Sequence, residues 1–270
     1  MPFSIYLIII YLLLVAFKPT RKMAFALFPW LLFGCSYDAM RIVPNYEVNT
    51  ISIKELYEAE KSLCGISDGG ITLIPSEYFQ LHHHAVTDFM AGIFYLCWVP
   101  VPLAFAFFLY LRGQHTWCVR FSWAFLFVNV IGFIGYYIYP AAPPWYVMNV
   151  GFEPVTNTPG STAGLAHFDT LIGLPLFQSI YGNIPNVFAA IPSLHAAYLP
   201  VAFIYAIRSR QKLWIILLLG IIMVGIWWTA VYTAHHYIID VLLGILTALI
   251  GVTLCSIIEI LSNIGSKRRR

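Results

Sequence analysis

The sequence predicts an all-α integral membrane protein: a six-helix transmembrane core, an extra N-terminal helix, and an active site at the outer face. Three observations predict it. Of the 270 residues, 60% are hydrophobic and only 10% charged, with a mean hydropathy of +0.78; a soluble domain carries about a quarter charged residues. Apolar runs near 3–17, 23–40, 87–111, 121–140, 193–207, 213–231 and 237–261 approach the roughly 20 residues of a bilayer span. The basic residues cluster between alternate runs, as membrane topology demands.

The first run lacks a small-residue cleavage site and a basic lead-in, so it is expected to be a retained helix. Residues 1–43 then form an N-terminal pair of transmembrane helices. An outer segment follows over 44–86. Within it, 51–64 puts Ile53, Leu56, Tyr57 and Leu63 roughly on one face, which suits a helix lying in the membrane interface; a plain surface helix is the alternative. Residues 87–262 form the transmembrane core, and 263–270 a basic cytoplasmic tail. A second long outer segment, about 141–191, is rich in Gly, Pro, Asn and Thr. Its aromatic and apolar content argues for order, and ordered loops of that length are usually functional.

Orientation follows from charge. Lys18, Arg21 and Lys22 fill the first turn; Arg112 and Arg120 flank the second basic loop; Arg208, Arg210 and Lys212 fill the third. Lys267 and Arg268 to Arg270 end the chain. These are 12 of the 15 basic residues, all on one face if seven helices alternate, and that face is cytoplasmic. Only Arg41, Lys54 and Lys61 are left for the other side, which faces a periplasm or lumen. The five cysteines are scattered, odd in number and without a CxxC. They indicate neither a disulfide framework nor a zinc site. Nothing in the chain points to nucleic acid.

Two strings carry the chemistry. Pro192-Ser193-Leu194-His195 and His235-His236-Tyr237-Ile238-Ile239-Asp240 each open a long apolar run. Ionisable groups there are costly and read as functional. On a helix, His236 and Asp240 share a face one turn apart, so the carboxylate holds the imidazole. His235 is five from Asp240 and is expected to point elsewhere and to be dispensable. Pro143-Pro144-Trp145-Tyr146 follows the fourth run, on the same outer face.

These strings resemble the type-2 phosphatidic acid phosphatase superfamily, whose second motif reads Pro-Ser-Gly-His and whose third ends in His-x-x-x-Asp. Here Pro192, Ser193, His195, His236 and Asp240 match, with Leu194 in place of the glycine. The inositol phosphorylceramide synthase branch is more similar: residues 140–146 (PAAPPWY), 192–195 and 235–240 match its strings. The likeness covers roughly 86–261 and is weaker around Tyr37, Asp38 and Arg41. The phosphatases' Lys and Arg-Pro have no counterpart near 140–146, and their Ser-Arg falls on Thr229 and Ala230. A site without those cations suits a phosphodiester with one charge better than a monoester carrying roughly −1.5 to −2.

The resemblance implies transfer of phosphoinositol from phosphatidylinositol to ceramide, with release of diacylglycerol. It implies His236 as nucleophile, Asp240 as its orienting carboxylate and His195 as acid and then base. A lipid phosphatase of the same fold is the alternative, and a multi-helix transporter or receptor the alternative of another class. Two histidines and a carboxylate are also a metal-ligand set, but the resemblance implies metal-independent chemistry without a cofactor. Pro192 reads as a first-turn proline, so free backbone N–H groups and the Ser193 hydroxyl would face phosphate. Arg41 either contacts the phosphate or snorkels to the surface. Trp145 and Tyr146 either line the site or belong to the interfacial aromatic belt. Asp88 either binds inositol hydroxyls or is a helix N-terminal acid. His82 to His84 are a run without metal-ligand spacing, expected in a solvated turn.

Overall fold

The structure, a computed structural model, describes residues 3–182, 184 and 186–268. Among the described residues it is mostly helical, with one short hairpin. The N-terminal part holds α1 (Phe3–Ala16), α2 (Arg21–Ala26) and α3 (Phe28–Ala39). The first outer segment holds α4 (Lys54–Cys64), the antiparallel hairpin β1 (Ile66–Asp68) and β2 (Ile71–Leu73), and α5 (Pro75–Leu81). Then come α6 (Ala85–Tyr95), α7 (Pro100–Leu111) and α8 (His115–Ile138). The second outer segment holds α9 (Pro144–Val150), α10 (Ala166–Ile172) and α11 (Leu176–Tyr181). Finally come α12 (Leu194–Arg208), α13 (Leu213–Tyr232) and α14 (Ile238–Arg268).

The chain is a membrane protein by its apolar helices, but they are less uniform than the apolar runs suggest. Among the described residues three helices are long and apolar enough to cross a bilayer: α8, α13 and α14, the last over Ile238–Leu261. The pair α6 and α7 makes a fourth span if its 44° bend is counted within one crossing. Pro100 opens α7; proline has no N–H for the preceding turn and breaks the ladder there. The run 23–40 divides at Leu27, with Pro29 in the first turn of α3. α1 and α12 are apolar but have only 14 and 15 residues. α14 runs on to Arg268, so helix replaces most of the tail expected at 263–270; the side chains of 262–270 lie outside the described residues.

Helix α12 is the centre of the bundle. It packs against α14, α13, α8 and α7, and most of its residues are buried. A helix apolar all round belongs in such a place. Its neighbours turn large side chains outward: Leu217, Ile221 and Val224 on α13, and Leu242, Leu246 and Leu249 on α14 are exposed. In water so broad an apolar surface would be untenable, and in lipid it is the expected exterior. Trp30 of α3 lies face to face with Phe125 of α8, ring centroids 4.1 Å apart, and its indole N–H donates to Ser122 Oγ at 3.1 Å. Tyr198 donates to Asn129 Oδ1 at 2.6 Å, so the buried amide on α8 is satisfied.

The ends of the bundle differ in character. At one end Gln211 Nε2 donates to Gln114 Oε1 at 2.6 Å, Arg208 to Ser256 Oγ at 2.8 Å, and Arg120 pairs with Glu259 at 3.3 Å. That end gathers the loops rich in Lys and Arg. The opposite end is roofed by the two outer segments, which are tied to each other. Ser52 N donates to Pro140 O, Ala142 N to Ser52 O and Ala141 N to Phe188 O, all within 3.0 Å. The described residues of the 141–191 segment are therefore ordered structure. Helix α4 finds protein against most of its expected apolar face. Ile53, Leu56 and Tyr57 are buried in a cluster with Trp145, Tyr146 and Tyr237, while Leu63 is 73% exposed. The apolar face of α4 packs on the protein, as the plain surface helix would.

Candidate active site

The Pro-Ser-Leu-His segment is held between two helices at their small residues. A side chain at Gly244 of α14 would run into the Ser193 carbonyl, and one at Gly135 of α8 into Pro192. Leu194 lies against Gly132 of α8, so the bulk that replaces the family's glycine is accommodated by a missing side chain on the facing helix. Pro192 is not the first-turn proline of the sequence expectation. Ser193 is the N-cap, its Oγ accepting from Ala196 N at 3.3 Å. Its own N–H donates to the Asp240 carbonyl oxygen at 3.0 Å, and the residue is fully buried. Ser193 therefore caps α12 and does not line the cavity described below.

Helix α14 begins only at Ile238, so His236 and Asp240 do not meet on a helix face. They meet across the turn that precedes it. Ala234 there adopts the left-handed φ of 59°, a conformation that costs a residue with a Cβ about 1–2 kcal/mol. The turn is pinned from the roof: Trp145 N donates to Ala234 O at 2.9 Å and Gly164 N to Thr233 O at 3.0 Å. Glu60, reaching over from α4, accepts from Ile238 N at 2.8 Å and Ile239 N at 3.2 Å. A carboxylate at a helix N-terminus is favourable, and burial pushes this one up from its ordinary pKa.

His236 Nε2 lies 2.9 Å from His195 Nδ1. His236 Nδ1 lies 3.1 Å from the Ala190 carbonyl oxygen and 3.4 Å from Asp240 Oδ2. Both neighbours of Nδ1 accept only, so Nδ1 carries the proton and Nε2 the lone pair. Asp240 Oδ2 also accepts from Tyr237 N at 2.9 Å; its side chain is fully enclosed, and Oδ1 has no protein partner among the described residues. The other nitrogen of His195, Nε2, is 3.5 Å from the Tyr181 hydroxyl. Tyr181, His195, His236 and Asp240 thus form one line from the roof to the start of α14.

The line borders a cavity of about 620 Å³. Phe3, Phe33 and Gly34 from α1 and α3 make an apolar flank, Tyr136 and Tyr198 add to the lining, and the Trp98 ring lies 4.5 Å from that of His195. Of the residues expected at the site, His195, His236, Trp145 and Arg41 line this cavity. Arg41 is the one Lys or Arg among its described lining residues, and its Nε donates to Asp38 Oδ1 at 3.1 Å. Tyr146 does not reach it. Fully buried, Tyr146 accepts from Val155 N at 2.7 Å and donates to Glu153 O at 2.8 Å, bracing the roof.

Asp88 is also elsewhere. It accepts from Tyr232 OH at 2.7 Å and meets His83 Nδ1 at 2.9 Å, and the His83 ring stacks on His167 at 3.9 Å. One ligand-type atom from each of His83, Asp88 and His167 lies within 4.8 Å of the others. Burial of His167 lowers its pKa, with His83 the next cause. This group ties α10 to α6 and gives the histidine run a partner that sequence spacing did not reveal.

His235 corrects another expectation. It lines the cavity beside His195 and His236, because the left-handed turn at Ala234 lets consecutive residues face the same space. Tyr181 and Tyr95 flank it, with ring centroids at 4.7 and 5.1 Å. Burial, with the nearby His236, pushes its pKa down to about 3, so the ring is neutral. Tyr181, Glu60 and the Ala190 carbonyl have no motif signal in the sequence. Only the tertiary contact identifies them.

The PAP2 superfamily profile matches residues 70–254. A phosphoinositol dihydroceramide synthase of Bacteroides thetaiotaomicron is 59% identical over 86% of this chain and 76% of its own length. The inositol phosphorylceramide synthase of Candida albicans is 31% identical over 57% of this chain, which spans 34% of it. The catalytic subunit of the Saccharomyces cerevisiae enzyme is 28% identical over 55% of this chain and 39% of its own. No solved structure gives a significant match.

Proposed function

Since the chain belongs to the PAP2 superfamily, and to its inositol phosphorylceramide synthase branch, we propose that it is a phosphotransferase. It moves phosphoinositol from phosphatidylinositol to the primary hydroxyl of a ceramide, dihydroceramide included, and releases diacylglycerol. The observation that carries this reading is the His195–His236 pair on the wall of a cavity with an apolar flank and one lining cation. A chain-bearing donor and a chain-bearing acceptor both need such a flank.

The steps follow from the proton positions. The 2.9 Å contact between the two imidazoles leaves no room for phosphorus, so the donor phosphate displaces that contact as it enters, and His236 Nε2 then attacks phosphorus in line. The bond to the glycerol oxygen breaks; His195, which burial keeps neutral in the free protein and which takes up a proton as the anionic donor enters, gives its Nδ1 proton to that oxygen, so diacylglycerol leaves neutral. His195, now protonated at Nε2 toward Tyr181, has a free lone pair at Nδ1. That lone pair takes the ceramide hydroxyl proton as the oxygen attacks the phosphohistidine. His236 is regenerated and His195 is protonated again. Asp240 and the Ala190 carbonyl keep His236 in the Nδ1–H tautomer throughout. No metal ion enters these steps.

The test is turnover of labelled phosphatidylinositol by the purified protein, with and without ceramide, products identified by mass spectrometry. The reading expects inositol phosphorylceramide and diacylglycerol in equal amounts, only when ceramide is present beyond the first turnover. Efficient phosphatidic acid hydrolysis without ceramide would replace it with the lipid phosphatase.

Arg41 supplies the phosphate contact in this reading. Arg41→Ala is expected to lower phosphatidylinositol turnover at least about tenfold, roughly 1.4 kcal/mol, since a charge-assisted bond in a sparsely cationic site has no substitute. Unchanged steady-state kinetics in that variant would remove Arg41 from the site. The site end is taken to face the periplasm or lumen, with the C-terminus cytoplasmic, because the Lys- and Arg-rich loops gather at the opposite end. A cysteine at Asn157 should react with a membrane-impermeant reagent in intact cells and one at Gln211 should not. Reversal of that labelling would put the chemistry on the cytoplasmic face.

A further inference from the structure

The cavity holds a third histidine for which the transfer mechanism has no task. His235 is 6% exposed, and its Nε2 has no protein partner. An unsatisfied polar atom buried beside a substrate cavity is costly unless a ligand completes it. What can complete it depends on which nitrogen carries the proton. The Thr233 hydroxyl lies 2.8 Å from the Thr229 carbonyl oxygen and 3.0 Å from His235 Nδ1. Its single proton follows the shorter contact, to the carbonyl. Its oxygen then accepts from Nδ1–H. His235 Nε2 is left as a lone pair, an acceptor in a neutral ring. It cannot serve a phosphate oxygen, which also only accepts. It needs an O–H.

Position selects among the hydroxyls. The cavity's apolar flank lies at α1 and α3, through Phe3, Phe33 and Gly34. Diacylglycerol and ceramide carry chains and must keep to that flank. His235 packs instead against Tyr95 of α6 and Tyr181 of α11, and of these Tyr181 lines the cavity. The phosphoinositol group is the reactant part without a chain. Its ring C–H faces are slightly positive and suit the negative faces of tyrosine rings.

We propose that His235 is a head-group specificity residue: its Nε2 accepts a hydrogen bond from a hydroxyl of the inositol ring, which lies against Tyr181. The proposal rests on phosphatidylinositol being the donor, as argued above. A histidine that binds a polyol by accepting favours hydroxylated head groups over equally charged diesters without hydroxyls.

The test compares binding of phosphatidylinositol and phosphatidylmethanol, two diesters of the same charge, to purified full chains in micelles without ceramide. Each chain carries His236→Gln so that no phosphohistidine forms; the parent is otherwise unmodified and should prefer phosphatidylinositol. His235→Ala should weaken phosphatidylinositol binding at least about tenfold and leave phosphatidylmethanol unchanged. His235→Gln, which puts a carbonyl oxygen near the position of Nε2, should recover most of the loss; equal melting temperatures establish that the variants fold. A preference that survives His235→Ala overturns the contact and leaves the donor standing. Equal weakening of both lipids also overturns it, because a general packing defect does not read hydroxyls. Absence of any preference in the parent overturns the donor assignment and the contact with it.

Discussion

Replacement of His236 by Gln is expected to reduce transfer by at least about 10⁴-fold while leaving the melting temperature near that of the unmodified protein. A nucleophile that forms the covalent intermediate has no partial substitute, and losses of that order accompany removal of such a group. Glutamine keeps a polar group near the position of Nε2 and can still meet His195, which lies 2.9 Å from it. Two readouts separate chemistry from folding. Without ceramide, the unmodified protein should release one equivalent of diacylglycerol and retain labelled phosphoinositol in an acid-labile bond. The variant should do neither. A variant that transfers at more than a hundredth of the normal rate would move the nucleophile elsewhere, and His195 would be the next candidate.

His195→Gln should cost about 10²–10⁴-fold, the usual range for a positioned acid and base. Its effect has a signature that a structural defect lacks. Diacylglycerol leaves as a poor alkoxide and needs the proton from His195. p-Nitrophenol leaves without help. With p-nitrophenyl phosphoinositol as donor, the burst of p-nitrophenolate should therefore be within about tenfold of normal in the variant. The second half, attack by the ceramide hydroxyl, should stay slow because it still needs a base. If both donors suffer alike, His195 does not act by proton transfer. Tyr181, 3.5 Å from the far nitrogen of His195, should show a milder form of the same pattern when changed to Phe.

Much of the site is local in origin and legible along the chain. His195 and His236 are conspicuous because each lies at the head of an apolar run, where a titratable group has a high desolvation cost. Their spacing from Asp240 and the Pro-Ser-Leu-His string name the family before any fold is known. Trp145 and Arg41 were legible as candidates by their place at the same end of the bundle. Ser193, Tyr146 and Asp88 were legible as polar or aromatic residues at that end, but their side chains engage an N-cap, the roof and a histidine pair. Residue type and depth do not reveal which way a side chain turns.

His235 was missed for a related reason. Helical spacing extrapolated back from Asp240 separates it from His236, whereas α14 starts at Ile238 and Ala234 turns at a φ of 59°. A local turn held by distant backbone donors, Trp145 and Gly164, overrode the helical period. The periodicity of α4 likewise marked a face but not what would cover it: Ile53, Leu56 and Tyr57 pack on the protein.

By itself the sequence determined the solvent of this protein, its helical class, the direction of its charge asymmetry and the motif residues. Those properties follow from composition and from spacing within a few residues, which the chain carries without folding. The tertiary structure alone decided the remainder. It made one cavity out of α1, α3, α9, α11, α12 and the turn before α14, assigned the His236 proton through the Ala190 carbonyl and Asp240, and brought Glu60 to the head of α14 across 178 residues. Hydrogen-bond partners and exclusion of water depend on which surfaces meet, and surfaces distant in the chain meet only when the bundle has closed.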